Sequence, residues 1–138
     1  TPAPEVGRAI WQYFGRSSDE VKLLVLREAL AKAPDQAEAA YLIGRRVASH
    51  GDQPMLAVKY LAQALTGTQL APSIRREALR LKLESRFLAG DCAGLKEEAA
   101  TLPDYGTVFK RRTDEWLERC AFEEKTFGGA LVPADALK

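Results

Sequence analysis

At 138 residues, with 46% hydrophobic and 28% charged side chains, the chain has the balance of a single soluble globular domain. Its 20 basic and 19 acidic side chains leave a formal charge of +1, which excludes a global field drawing it onto nucleic acid or an anionic membrane. No apolar run approaches the roughly 18 residues of a membrane-spanning helix. No secretory leader pattern opens the sequence, which begins on Thr1 as a trimmed or processed product would.

Ala, Leu, Glu, Arg and Lys dominate the periodic segments, so summed helix propensity is high almost throughout and the chain reads as all-α. Val6, Ile10, Tyr13 and Phe14 recur at helical spacing and predict a short first helix stopped at Gly15. Ser18 offers the N-cap of a second, with Asp19 and Glu20 complementing the dipole. Its broad apolar face comprises Val21, Leu24, Val25, Leu26, Ala29 and Leu30, and Pro34 ends it. The third helix runs from Asp35 to His50 on Ala39, Ala40, Ile43, Gly44, Val47 and Ala48, with a stop at Gly51. Asp52 is expected to cap a fourth, with Pro54 in its first turn and Leu56, Ala57, Tyr60, Leu61, Ala64 and Leu65 inward. Gly67 to Pro72 interrupt the pattern.

The fifth helix carries two apolar stripes, Ile74, Ala78, Leu81, Ser85 and Leu88 beside Leu79, Leu83 and Phe87, and is expected to be central. Gly90 ends it, and Asp91 caps a sixth from about Cys92 to Leu102. After a turn at Pro103 to Gly106, a seventh extends from Thr107 to Phe127, with Phe109, Trp116, Leu117, Cys120, Ala121 and Phe127 largely on one side. One domain is expected over 1–129, with 130–138 extended or disordered.

The triplets Glu28-Ala29-Leu30, Gln63-Ala64-Leu65 and Glu98-Ala99-Ala100 recur at intervals of 35 residues, with Val25, Tyr60 and Leu95 in the same register. One repeat is thus a helical hairpin. In these features the sequence resembles the tetratricopeptide repeat (TPR) family. The segment Ala37 to Pro72 carries the fullest likeness: Ile43-Gly44 resembles the family's Leu-Gly, Gly51-Asp52 its inter-helix turn, and Ala57, Leu61 and Ala64-Leu65 its second-helix positions. Ala3 to Asp35 matches at Tyr13, Leu26, Ala29-Leu30 and Pro34, without the early Trp. Ser73 to Asp104 keeps Gly90-Asp91 but has bulky Leu83 where the family places a small residue.

The resemblance implies a helical-hairpin solenoid of about three TPR-like repeats plus a C-terminal capping helix carrying Trp116. A lone hairpin leaves an apolar face wet, and stacked copies cover it. The resemblance also implies a concave groove lined by the first helix of each hairpin. Trp11 and Phe14, then Glu38, Tyr41 and Arg45, then Glu77, Arg80 and Glu84 fall at its groove positions. Arg45 and Arg80 would fork onto partner carboxylates, and Tyr41 would supply an aromatic platform. The competing reading is a solvated face with internal Arg and Glu pairs. With no Asn in the chain, the dicarboxylate-clamp specificity of the family is not supported.

Cys92 at a helix start and Cys120 on the inward face of the last helix are expected to form a disulfide, the alternative being two free thiols packed as small core residues. A bond would place the chain in an oxidising compartment such as a bacterial periplasm or cell envelope, the cytoplasm being the alternative. No Cys-x-x-Cys motif points to redox catalysis, and two Cys with one His do not complete a four-ligand zinc site without carboxylates. His50 lies near Ser49 and Asp52, but neighbours at a helix end diverge, and a His favoured by the C-terminal dipole explains it better than a triad. No phosphate-binding loop or hydrolase motif is present.

The basic pairs Arg45-Arg46, Arg75-Arg76 and Arg111-Arg112 each lie near carboxylates, which argues against a nucleic-acid footprint. Taken together, the residues point to a non-enzymatic scaffold without cofactor or metal, binding a protein or peptide partner in its groove. The alternative is a structural or self-associating domain that uses apolar surface around Trp11, Phe14 or the tail from Ala130 to Leu137.

Overall fold

The computed structural model describes residues 6–13, 18–67 and 70–126. Among them are seven helices and no strand: α1 (Val6–Tyr13), α2 (Asp19–Lys32), α3 (Ala37–His50), α4 (Pro54–Thr66), α5 (Pro72–Leu88), α6 (Cys92–Ala99) and α7 (Thr107–Thr126). The all-α expectation is met. Phe14, Phe127 and the tail 130–138 lie outside the described residues. The chain forms two compact units, Thr1–Lys82 and Leu83–Lys138, with the division inside α5 at the bulky Leu83.

In the first unit, Ser18 Oγ accepts the Val21 N–H at 3.4 Å, and Asp19 and Glu20 occupy the first turn of α2, as its sequence dictates. Gly51 ends α3 at φ 77°, a left-handed backbone that only glycine adopts without strain. Asp52, by contrast, does not cap α4. The N-cap is Gln53, which makes no side-chain bond, because Pro54 at the next position lacks an N–H and presets the helical φ.

The broad apolar face expected of α2 narrows to one stripe. Lys22, Leu26 and Leu30, four apart, are buried, while Val21 and Leu24 are 42% and 61% exposed. Lys22 substitutes its aliphatic stem for a hydrophobe on that stripe.

The central place expected for α5 belongs, within this unit, to α3. All eight residues from Ala37 to Gly44 are buried. Small Ala37, Ala39, Ala40 and Gly44 let backbones approach from several sides, which the long Arg, Lys and Leu side chains of α5 do not. A β-carbon on Gly44 would meet Leu61 of α4, and one on Gly7 would meet the backbone of Ala39. A β-carbon on Gly67, just past α4, would touch Ala37 at the start of α3, so α3 and α4 run antiparallel. Arg46 near the end of α3 pairs with Asp19 at the start of α2 at 2.8 Å, which sets α2 antiparallel to α3 as well. Leu26, Leu30, Tyr41, Leu42, Ile43, Leu61, Leu70 and Ala78 close one core, each large side chain contributing about 1.5–3 kcal/mol.

The second unit comprises the end of α5, α6 and α7. Asp91 caps α6 by accepting the Gly94 N–H at 3.0 Å. The helix ends at Ala99, earlier than the sequence pattern predicts. Thr101 donates both its N–H and its hydroxyl to the Glu98 carbonyl, tightening the chain, and Pro103 disfavours helix at Leu102. Cys92 and Cys120 are joined, with Cα atoms 5.8 Å apart, tying α6 to α7. Closing a loop over a separation of 28 stabilises by roughly 3.5 kcal/mol on the chain-entropy account.

Arg86 holds the joint between α5 and α6. Its guanidinium pairs with Asp91 at 2.6 Å and with Glu98. Burial, the largest single influence, would lower its pKa, but the hydrogen bonds and the negative charges of Glu98 and Asp91 together outweigh it and raise the pKa above its ordinary value. Trp116 of α7 stacks on Phe87 with ring centres 6.3 Å apart, and Arg119 lies over the same Phe87 ring at 5.6 Å.

Candidate functional site

The residues expected at groove positions divide by element. On α3, Glu38, Tyr41 and Arg45 are spaced by three and four and therefore share one helix face. Glu38 sits in the first turn, where the helix dipole favours a carboxylate. It is buried, with Arg8 Nε of α1 at 3.9 Å, and its Oε2 has no hydrogen-bond partner among the described residues. Tyr41 is buried in the core rather than offered as an open platform. Arg45 is exposed, its guanidinium carbon 5.5 Å from the centre of the Tyr41 ring. No carboxylate pairs with Arg45 among the described residues.

Trp11 of α1 is half-buried, with Lys22 Nζ of α2 over its ring at 4.6 Å. On α5, Glu77 and Arg80 face one another, at 2.5 Å for Nη2 to Oε1 and 3.1 Å for Nε to Oε2. This is the internal pairing that the competing sequence reading anticipated. Glu84 is half-buried and belongs to the second unit.

Lys22 and Arg46 are contributors that sequence reasoning missed. Both act across helices, one on Trp11 and one on Asp19, so no local spacing announces them.

The basic pairs are resolved residue by residue. Arg46 is held by Asp19 and is a donor to Ser49. Arg75 donates to the Leu65 and Gly67 carbonyls at 2.9 and 2.8 Å, closing the C-terminal end of α4, while Arg76 is exposed. Arg111 and Arg112 are exposed on α7. His50 is exposed at the end of α3, where the dipole reading put it.

In the second unit, an open cleft of about 450 Å³ lies between the end of α6 and the start of α7, lined in part by Leu102, Tyr105, Phe109 and Leu117. Its polar rim is already matched, Lys110 pairing with Asp114 at 3.2 Å. Among the described residues, no cluster of His, Cys, Asp and Glu is placed to hold a metal ion, and no helix is long and apolar enough to cross a membrane. In comparisons with known proteins, no family model, curated protein or solved structure matches this chain.

Proposed function

We propose that the protein is a non-enzymatic, TPR-like interaction scaffold of the bacterial cell envelope. It binds an acidic peptide segment, or a chain terminus, along the face of α3. The observation that carries this reading is Arg45: an exposed guanidinium, braced on a buried aromatic ring and unmatched by any described carboxylate. A guanidinium already oriented by a ring loses less freedom when it forks onto a partner's carboxylate. Glu77 and Arg80 of α5, paired with each other, supply a second polar contact that can rearrange onto a peptide. The Cys92–Cys120 bond supports an oxidising location.

The test is selection of a displayed library of free C-terminal peptides on the intact chain, followed by titration of the enriched peptide. Arg45→Ala should weaken binding about tenfold or more, with Arg111→Ala as the unaffected control. Equal affinity for both variants would remove the α3 face from the interaction.

A second reading, self-association, has its own observation in Val21 and Leu24, which expose apolar surface on α2. Light scattering across a concentration series of the wild type and Leu24→Gln distinguishes it, since only self-association through α2 gives a mass that rises in the first and not in the second.

A further inference from the structure

We infer that the second unit is a redox-dependent module, in which α7 stays packed only while Cys92 and Cys120 are joined and is released by a dithiol reductant. The unit has three joints, held by different chemistry, and that between α5 and α7 is the contact of half-buried Trp116 and exposed Arg119 with the half-buried Phe87 ring. The joint between α5 and α6 is ionic, with Arg86 bridging Asp91 and Glu98, and owes nothing to the sulfurs. The joint between α6 and α7 rests on the disulfide, one partly exposed Lys96–Glu124 pair at 3.3 Å and a shallow apolar layer.

That layer is thin. Among the described residues, the buried apolar side chains of this unit are Leu83, Leu95 and Phe109 with the two cysteines themselves, whereas the first unit closes a continuous core of thirteen buried residues. A segment of this size is marginal on burial alone, and a covalent staple then carries a large share of its stability. Opening the bond therefore removes both the cross-link and the tight apposition of two of the five buried groups.

The point of attack is set by exposure: Cys120 is completely buried, while Cys92, the first residue of α6, is 8% exposed. A thiolate of the dithiol attacks Cys92 Sγ, the protein S–S bond breaks, and Cys120 leaves as a thiolate that takes up a proton. The reagent's second thiol then displaces the mixed disulfide. The reagent ends as its own disulfide, and its two electrons and two protons reside on the protein's two thiols. Re-oxidation by a disulfide donor reverses the sequence. This inference does not depend on which partner the α3 face binds.

The two tryptophans make the test specific, because Trp11 belongs to the first unit and Trp116 to the second. The intact chain would be compared oxidised, treated with dithiothreitol, and as the Cys92→Ser/Cys120→Ser double variant. The readouts are tryptic cleavage and the fluorescence of Trp11→Phe and Trp116→Phe backgrounds. Reduction should speed cleavage after Arg111, Arg112 and Arg119 on the order of a hundredfold. It should shift Trp116 emission to the red and leave Trp11 emission and cleavage after Lys59 unchanged. Protection of α7 that survives reduction, loss of both units together, or two titratable thiols in the unreduced chain would each overturn the inference. If the double variant is insoluble, in-place reduction of the wild type separates the same outcomes.

Discussion

Gly44 of α3 faces Leu61 of α4 so closely that a β-carbon on the glycine would lie 2.8 Å from Leu61 Cγ and 3.2 Å from its backbone nitrogen. Both residues are buried, so neither has room to retreat. Gly44→Val should destabilise the first unit by about 2–3 kcal/mol in urea titration through overpacking. In a double-mutant cycle with Leu61→Ala, the pair should show a coupling of at least about 1 kcal/mol. Strict additivity would mean that the helices do not meet at this point.

A second prediction separates two adjacent arginines. Arg75 carries two hydrogen bonds to backbone carbonyls at the end of α4, and its neighbour Arg76 is exposed. Arg75→Ala should lower stability by about 1.5–3 kcal/mol, since it strips charge-assisted bonds from carbonyls that have no helical partner. Arg76→Ala should change it by no more than about 0.5 kcal/mol. Chemical denaturation of the two variants side by side checks the contrast.

Much of this architecture is legible in the chain because the signals are local. Ser18, Gly51, Gly90 and Asp91 act within a turn of their own positions, and the helices they bound appear where the spacing puts them. The 35-residue recurrence falls toward the C-terminal ends of alternate helices: Glu28-Ala29-Leu30 lies in α2, Gln63-Ala64-Leu65 in α4, and Glu98-Ala99 in α6. What the pattern does not reveal is which apolar residues stay wet. Leu24 and Leu26 are identical in composition and two apart, and only the approach of neighbouring helices decides that one is exposed and the other buried. The candidate site is less legible for the same reason. Periodicity places Tyr41 and Arg45 on one face, but it does not reveal that the ring is sunk in the core with the guanidinium lying over it.

The Arg86 cluster gives a prediction with a definite pH sign. Because the folded-state pKa of Arg86 is raised above the ordinary value, its titration contributes stability at every pH below the unfolded arginine value. That contribution is lost only as pH climbs through the folded value. Arg86→Met leaves Asp91 and Glu98 without their cation and should destabilise the second unit by roughly 1–3 kcal/mol. The difference from the wild type should stay level between about pH 7 and about pH 10, where the guanidinium remains charged. Trp116 fluorescence during denaturation reads it directly. A difference that shrinks across that interval would show that some other titrating group carries the joint.

Stability and binding should come apart at Tyr41 and Arg45, four residues from each other on α3. Removing the Tyr41 ring leaves a hole in the core of the first unit, so Tyr41→Ala should cost about 3 kcal/mol and, by freeing the Arg45 guanidinium, weaken binding beyond what depletion of folded protein accounts for. Tyr41→Phe retains the ring under Arg45 and should be tolerated within about 1 kcal/mol. Arg45→Ala touches an exposed group and should leave the denaturation midpoint nearly unchanged, while acidic-peptide affinity falls about tenfold. Charge is what the α3 face contributes if Arg45→Lys recovers part of that affinity, and the planar fork is what matters if it recovers none. Calorimetric titration of the four variants at a temperature where all are folded separates these outcomes. A Tyr41→Phe chain that binds as poorly as Arg45→Ala despite wild-type stability would show that the tyrosine hydroxyl, not the cation resting on its ring, makes the contact.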